Sequence, residues 1–557
     1  MKRFISILSL VIAIGAYAQQ DTTINRVVTV ERDFQPAIQS AGKINQTPAV
    51  LQHDLHLNPV VYSTYTTPLS VGYNIYPLQA SETRFTPQAP LNGIIQAAAG
   101  YRNTHFLFNY QIHHQKKMSL DLYANHDAYW GEDALAQSKL GLVVTRHFSG
   151  ADFYVGLEGK NEAYWYQPIL SGAVLWNANA HIGVRSTDKR PMQYRIQTGY
   201  TAFIPSHWAV EHHAKSHVDL WWSNSTHSAG LKTYIQNTFY TPSDTLLATS
   251  NRHAIRVEPF YEYTNKHIRL HVGVNLNMNI GTGELLSTVE NLSFAPSPNV
   301  KFEWNMMDNI FHVYANATGH YGLGSLEEYL GYNRYLNMRQ GFAWQTPRDY
   351  TPVDAQVGFK IRPAKTLLID IYGGYAYMHS ACNMQAVMQE DALDYQLWNS
   401  QYQRWKVGAS LHYHYRDIVE LNMGGNYYFY QQDPIPSMDP TDPHFQENRI
   451  KGTTVFDRPN WDAQARLDVH IDSKWSIYSE NYFAGSRWAY VSPYASSLPK
   501  AEQLRPIISL NIGGQYAINR WLVVYLQLND YLNRKNDIFY GYQSQGIHFL
   551  AGVKWKF

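Results

Sequence analysis

The sequence predicts an all-β chain: a large antiparallel transmembrane β-barrel of about 22 strands (range about 18–22), with short turns at one rim and long loops at the other. Three observations predict it. The stretch 267–280, HIRLHVGVNLNMNI, places Ile268, Leu270, Val272, Val274, Leu276, Met278 and Ile280 on even positions and polar residues or glycine on the odd ones. The chain ends GIHFLAGVKWKF, with Ile547, Phe549, Ala551, Val553, Trp555 and Phe557 apolar at every second position. Between these landmarks, short polar turns recur at regular intervals. Successive strand side chains point to opposite faces, so such alternation means one oily face and one wet face. A soluble strand sustains it over about 5–6 residues, whereas a tilted strand crossing a bilayer needs about 9–11 for the hydrocarbon alone.

Composition agrees. Hydrophobic residues are 45% of the 557-residue chain and the mean hydropathy is −0.38, as expected when half of each strand faces lipid. Tyr (43) and Trp (15) are abundant, and such rings favour membrane interfaces. With 45 Lys+Arg against 44 Asp+Glu there is no basic excess, and nucleic acid is not an expected partner.

The N-terminus sets the compartment. Lys2 and Arg3 precede an apolar run and Ala16-Tyr17-Ala18, which reads as a signal peptide over residues 1–18. No later segment has the roughly 20 apolar residues of a spanning helix. An exported chain with long amphipathic strands belongs in the outer membrane of a Gram-negative bacterium, among outer-membrane lipids. Residues 19–92 then form a periplasmic or plug-like segment, and residues 93–557 the barrel.

The first strand starts at Gly93, in GIIQAAAGY. Turns follow near Gln115-Lys116-Lys117, Ser149-Gly150, Thr187-Asp188-Lys189, Asn224-Ser225-Thr226 and Asn265-Lys266. They continue at Asp308-Asn309, Pro363-Ala364-Lys365, Arg416-Asp417, Asp472-Ser473-Lys474 and Asn519-Arg520. Each neighbouring pair of turns brackets two alternating runs and one longer, aromatic-rich connection. Long loops are expected over 321–350, 381–401, 433–457 and 487–505. In the first of them, Ser325 and Glu328 have capping-box spacing and Leu326, Leu330 and Leu336 share a side, which predicts a short helix. A helix in such a loop is expected to constrict or cover a pore, since barrels of this size have a plugged lumen.

Residues 24–50, INRVVTVERDFQPAIQSAGKINQTPAV, carry a further pattern. Val28, Thr29, Val30, Arg32, Phe34, Pro36, Ile38, Ala41, Lys43 and Ile44 fit a motif whose bearers this chain resembles. They are a Bacteroidota family of TonB-dependent-receptor-like outer-membrane barrels lacking a full plug domain. The resemblance implies a transport-type barrel in a Bacteroidota outer membrane, with no ligand specified. Val27, Val28, Thr29 and Val30 fit either a TonB box, offered to TonB by strand addition, or a strand pairing with the barrel or its periplasmic rim. A last strand alternating up to the aromatic Phe557 resembles outer-membrane barrels generally, which implies that Phe557 belongs to the signal read by the barrel-insertion machinery.

No motif for chemistry stands out. The 24 His are scattered, as at His267 and His271 or in the pairs His113-His114 and His212-His213, where a polar lumen filler is the expected role. Asp433, Asp439 and Asp442 form an acidic loop that has the oxygen ligands for Ca²⁺ but also the prolines of a stiff loop. Neither a cofactor nor an enzyme activity is expected. Two functions remain: a receptor-like or porin-like transporter for an unidentified solute, with TonB or another envelope protein as partner, or a plugged barrel scaffolding a secretion or barrel-insertion assembly.

Overall fold

The computed structural model describes residues 93–114, 117–131, 133–166, 171–187, 191–206, 209–241, 251–282, 294–307, 310–336, 349–388, 393–432, 453, 455–492 and 500–557. The signal peptide, the whole of residues 19–92 and the aspartates 433, 439 and 442 lie outside them.

The strands run in chain order. They begin with β1 (Gly93–Gly100), β2 (Asn103–His114), β3 (Met118–Tyr129), β4 (Asp133–His147), β5 (Ala151–Tyr166), β6 (Ser171–Ser186) and β7 (Met192–Pro205). Next come β8 (Val210–Ser223), β9 (His227–Thr241), β10 (Asn251–Thr264), β11 (Ile268–Thr282), β12 (Phe294–Met306) and β13 (Phe311–Gly322). The helix α1 (Leu326–Tyr332) precedes β14 (Asp349–Ala364), β15 (Leu367–Met388), β16 (Leu393–Tyr415), β17 (Val419–Gln432), β18 (Trp461–His470) and β19 (Trp475–Ala484). The last are β20 (Arg487–Ser492), β21 (Lys500–Leu504), β22 (Ile507–Ala517), β23 (Leu522–Asn529), β24 (Asp537–Phe539), β25 (Tyr542–Gln543) and β26 (His548–Lys556).

Twenty-two of these strands close into one antiparallel barrel. Each pairs with its neighbours, and β26 pairs with β1 from Ile94↔Lys556 to Ala99↔Ala551. Phe557 completes the seam: its N–H donates to Gly93 O (3.0 Å) and its carbonyl accepts from Gly93 N–H (2.8 Å). Closure leaves no barrel edge in the hydrocarbon, where an unpaired backbone group is costly. β20 and β21 form a hairpin beyond the wall, β20 lying parallel to β15 at Gln385–Val387.

The alternation in 267–280 is realised with the burial inverted relative to a soluble protein. Val272, Val274 and Met278 are 42%, 43% and 39% exposed, while His271, Asn275 and Asn277 are 9%, 8% and 4% exposed. Apolar side chains thus face outward and polar ones face the lumen. On β26, Phe549, Val553 and Trp555 are exposed while His548, Lys554 and Lys556 are buried. Trp222, Trp304, Trp405 and Trp475 join the outer surface.

All ten expected turns fall between paired strands, from β2/β3 to β22/β23. In four of them, at Asn224, Asn265, Asp472 and Asn519, the side chain bonds the backbone two and three residues on. Asn265 Oδ1 accepts from His267 N–H (2.8 Å) and Ile268 N–H (2.6 Å). Asp472 Oδ1 accepts from Lys474 and Trp475 N–H, both at 2.7 Å, and these bonds hold its carboxyl below the usual range.

One expected loop is not a loop. Residues 381–388 and 393–401 continue β15 and β16 as a tall hairpin, pairing from Ala381↔Ser400 to Met388↔Leu393. Alternation fails there because Ala381, Cys382, Asn383 and Met384 are all buried, so both faces are covered.

Candidate functional site

On the long-loop side of the barrel, residues 323–336 form a lid packed against wall strands and the outer hairpins. Ser325 caps α1: its hydroxyl accepts from Glu328 N–H (3.1 Å), while the Glu328 carboxylate accepts from Ser325 N–H (3.2 Å). The predicted capping box is therefore formed. Leu326, Leu330 and Leu336 are each 1% exposed, the shared apolar side that their spacing indicated.

Polar contacts fasten the lid to the wall on one side. Glu211, fully buried on β8, accepts from Leu326 N–H (2.7 Å) and Glu327 N–H (3.2 Å), so a carboxylate sits at the helix start where its orphan donors emerge. His213 lies 2.7 Å from Glu211 and 3.1 Å from Thr238. Asn177 on β6 donates to Glu327. Arg252 on β10 donates to Leu323 O (2.6 Å) and Gly324 O (3.1 Å). Gly324 has φ +66°, a conformation that suits glycine at the turn into the helix. Two strands from Asn177, Tyr335 donates to Asp133 on β4 (2.7 Å).

Aromatic rings fill the centre. Tyr335 stacks on Tyr542 at 3.8 Å, Tyr166 lies 4.6 Å from Tyr542, and Tyr395 from the tall hairpin is 5.9 Å away. Tyr542 belongs to a loop, 530–547, that sequence reasoning did not single out. That loop is held by Arg505, which donates to both carboxylate oxygens of Asp537 (2.9 and 2.7 Å), and by the buried Arg487, which donates to Ile538 O (2.9 Å). Burial alone would raise the Asp537 carboxyl, but Arg505 and Gln543 hold it below its ordinary value. Asp457, 6% exposed beside the β20–β21 hairpin, behaves oppositely: burial pushes its pKa up to about 6 against the pull of Arg487 and Arg458.

Below the lid the lumen wall is polar. Glu258 accepts from Lys232 (3.2 Å) and Asn299 (2.7 Å) and lies 3.2 Å from His271. Arg404 pairs with Asp354 (3.4 Å), and Arg466 with Asp468 (2.7 Å) and Glu480 (3.2 Å). His271 thus sits in a hydrogen-bonded lumen network, the filler role expected of it. His212 instead faces outward, 2.6 Å from Tyr200 and 2.9 Å from Thr241. Among the described residues, no group of three or more His, Cys, Asp or Glu is arranged to hold a metal ion. Phe557 is at the seam, its ring 5.6 Å from Tyr110. The Val27–Val30 run and the motif residues 32–44 lie outside the described residues.

The closed antiparallel barrel defines the class: a large 22-stranded transmembrane β-barrel. Among solved structures it is similar to the copper transporter OprC (TM-score 0.61), over 85% of this chain and 81% of that one at 10% identity. The ferric enterobactin receptor PfeA of Pseudomonas aeruginosa (TM-score 0.60) and the siderophore receptor PirA of Acinetobacter baumannii (0.59) match with the same coverage and identity. At such identity the likeness is one of fold. No protein-family profile and no curated protein matches the sequence.

Proposed function

We propose that this chain is an outer-membrane transport barrel of the TonB-dependent-receptor type, exported by its N-terminal signal and passing an unidentified solute rather than catalysing a reaction. The observation that carries this is a lumen lined by hydrogen-bonding side chains and closed at its mouth by a loop lid rather than by the wall itself. A polar interior suits the passage of a solute, and transporter barrels of this size carry a plugged lumen. The fold neighbours that are named transporters and receptors support the reading. The host is a Gram-negative bacterium of the Bacteroidota, and Phe557 serves the insertion machinery.

Planar-bilayer conductance of the full chain tests it. The wild type is silent or opens rarely, a variant with a weakened lid conducts, and silence in both overturns the pore. A peptide of residues 21–45 that captures TonB assigns Val27–Val30 as its docking strand; failure to bind removes the energised version.

The apolar core of the lid favours a second reading. Leu326, Leu330, Tyr335 and Leu336 pack with residues of several wall strands and the outer hairpins, as a permanent cover would. A scaffold for an envelope assembly predicts silence in every lid variant and co-purification of a stoichiometric partner.

A further inference from the structure

Just below the lid, β8, β9 and β10 bring their lumen-facing residues into register. One row is Lys215↔Gln236↔Ala254, continued by Gly199 on β7. The next row is His217↔Tyr234↔Arg256. Gly199 and Ala254 project nothing beyond Cβ, so Lys215 and Gln236 stand in a recess with the second row as its ledge. Tyr234 donates from its hydroxyl to Gln236 Oε1 (2.9 Å). The Arg256 guanidinium lies 5.1 Å over the Tyr234 ring, and the His217 ring is 4.6 Å from the same face system.

Several other cations of this wall sit at ion-pair distance from a carboxylate. Arg195 has Asp219 (3.6 Å), Lys232 has Glu258 (3.2 Å) and Arg269 has Glu262 (3.0 Å). Among the described residues, Lys215 and Arg256 are in no ion pair and accept no carboxylate as a hydrogen-bond partner. Both are half-buried on rigid strands. A half-buried cation without a counter-charge is unfavourable unless something else supplies one. An Arg fork stacked on a ring is already oriented for the planar oxygens of a carboxylate or phosphate, and Lys215, two strands away in the adjacent row, adds a second point of attachment.

We propose that the Lys215–Gln236–Tyr234–Arg256 recess is a binding site for a small polyanion bearing carboxylate or phosphate groups. This deepens the transport reading above by naming the chemical class of its solute. The lid carboxylate Glu328 feels the charge of Lys215 without reaching ion-pair distance.

Equilibrium dialysis of the detergent-solubilised full chain against citrate and, separately, against inorganic pyrophosphate tests the site. The expected result is saturable binding of at least one probe, weakened about tenfold or more in K215Q/R256Q and unchanged in K160Q, which removes a lumen cation that has its own partner, Glu162 (3.4 Å). The stronger of the two probes identifies the anionic group. Binding of neither probe by the wild type overturns the proposal. So does equal binding by the wild type and K215Q/R256Q, with both shown to be folded by circular dichroism. Binding without conductance in any lid variant would instead sink the transport reading while leaving the anion site standing.

Discussion

Replacing Leu326 and Leu330 together by Ala should convert the closed mouth into one that opens. Both side chains are 1% exposed and pack into the aromatic core under the lid. A buried Leu→Ala change costs about 2–5 kcal/mol, the larger values where the site cannot collapse onto the cavity. The two leucines are one helical turn apart and share neighbours, so their effects do not simply add. A combined loss of about 4–8 kcal/mol shifts the closed-to-open ratio by about 10³–10⁶, at a factor of ten per 1.4 kcal/mol. Single-channel recording of the full chain reads this as bursts in L326A/L330A where the wild type is almost always shut. Gly331→Ala is the control: its added Cβ would meet nothing within 4 Å, and Ala favours the helix by about 1 kcal/mol, so the mouth stays closed. Hydrogen exchange over residues 325–332 separates the ways of being wrong. Silence despite lost protection means that something other than the lid blocks the lumen. Full protection in the double variant means that the leucine core is not what holds it.

Four further perturbations follow from the same structure. Glu211→Gln keeps the shape but removes the charge at the helix start, and should cost about 1–3 kcal/mol, seen as faster exchange at Leu326 and Glu327; unchanged exchange refutes the latch. Asp457 has a folded pKa raised by burial to about 6, so its ionised form penalises the native packing. That penalty is full above about pH 6 and is relieved as pH falls through 6 towards the ordinary carboxyl range, so residues 455–460 should resist proteolysis better at about pH 5 than at about pH 7.5. Asp457→Asn should abolish the pH effect, and a persisting difference rules Asp457 out as its source. Val274→Lys should impair barrel assembly by about 2–4 kcal/mol because the residue faces lipid, whereas Asn275→Lys, one position on, faces the lumen and should be tolerated; equal effects would refute the assignment of faces. Deleting Phe557 removes both backbone bonds to Gly93 and the ring contact with Tyr110, about 2 kcal/mol for the bonds at about 1 each, and should lower the temperature at which the barrel loses its compact gel mobility.

The barrel was legible because its rule is local. A period of two with apolar residues outward can be read within a single strand, as 267–280 shows, and the Asn and Asp turns announce themselves by their own side chains. The α1 capping box was legible for the same reason, since Ser325 and Glu328 are three residues apart. What escaped is what depends on distance along the chain. Glu211 reads as one more polar residue on a strand until the fold sets it against Leu326, 115 positions away. Tyr542 is embedded in β24 and β25, strands of three and two residues too short to show a pattern. The upper halves of β15 and β16 look like a loop in the sequence because burial on both faces erases the alternation that marks the same strands lower down.

The way the lid is fastened bears on whether it moves. A cover held only by apolar packing resists displacement in proportion to its whole buried area. Here one side of the lid instead hangs on a few discrete bonds, Glu211 to two helix N–H groups and Arg252 to the carbonyls of Leu323 and Gly324. The other side leans on Tyr542, whose loop is tied to the outer hairpin through Arg505, Arg487 and Asp537. The lid is thus clamped between the wall and a second loop, and releasing either contact alone leaves it attached to the other. Opening then requires both to give together, which makes the mouth a two-state element rather than a graded leak. Its switch is placed where the helix start, the buried Glu211–His213 pair and the cations of β8 and β10 meet. If single-site release by Glu211→Gln gave steady partial conductance instead of brief full openings, this two-state account would fail even though the lid remained the barrier.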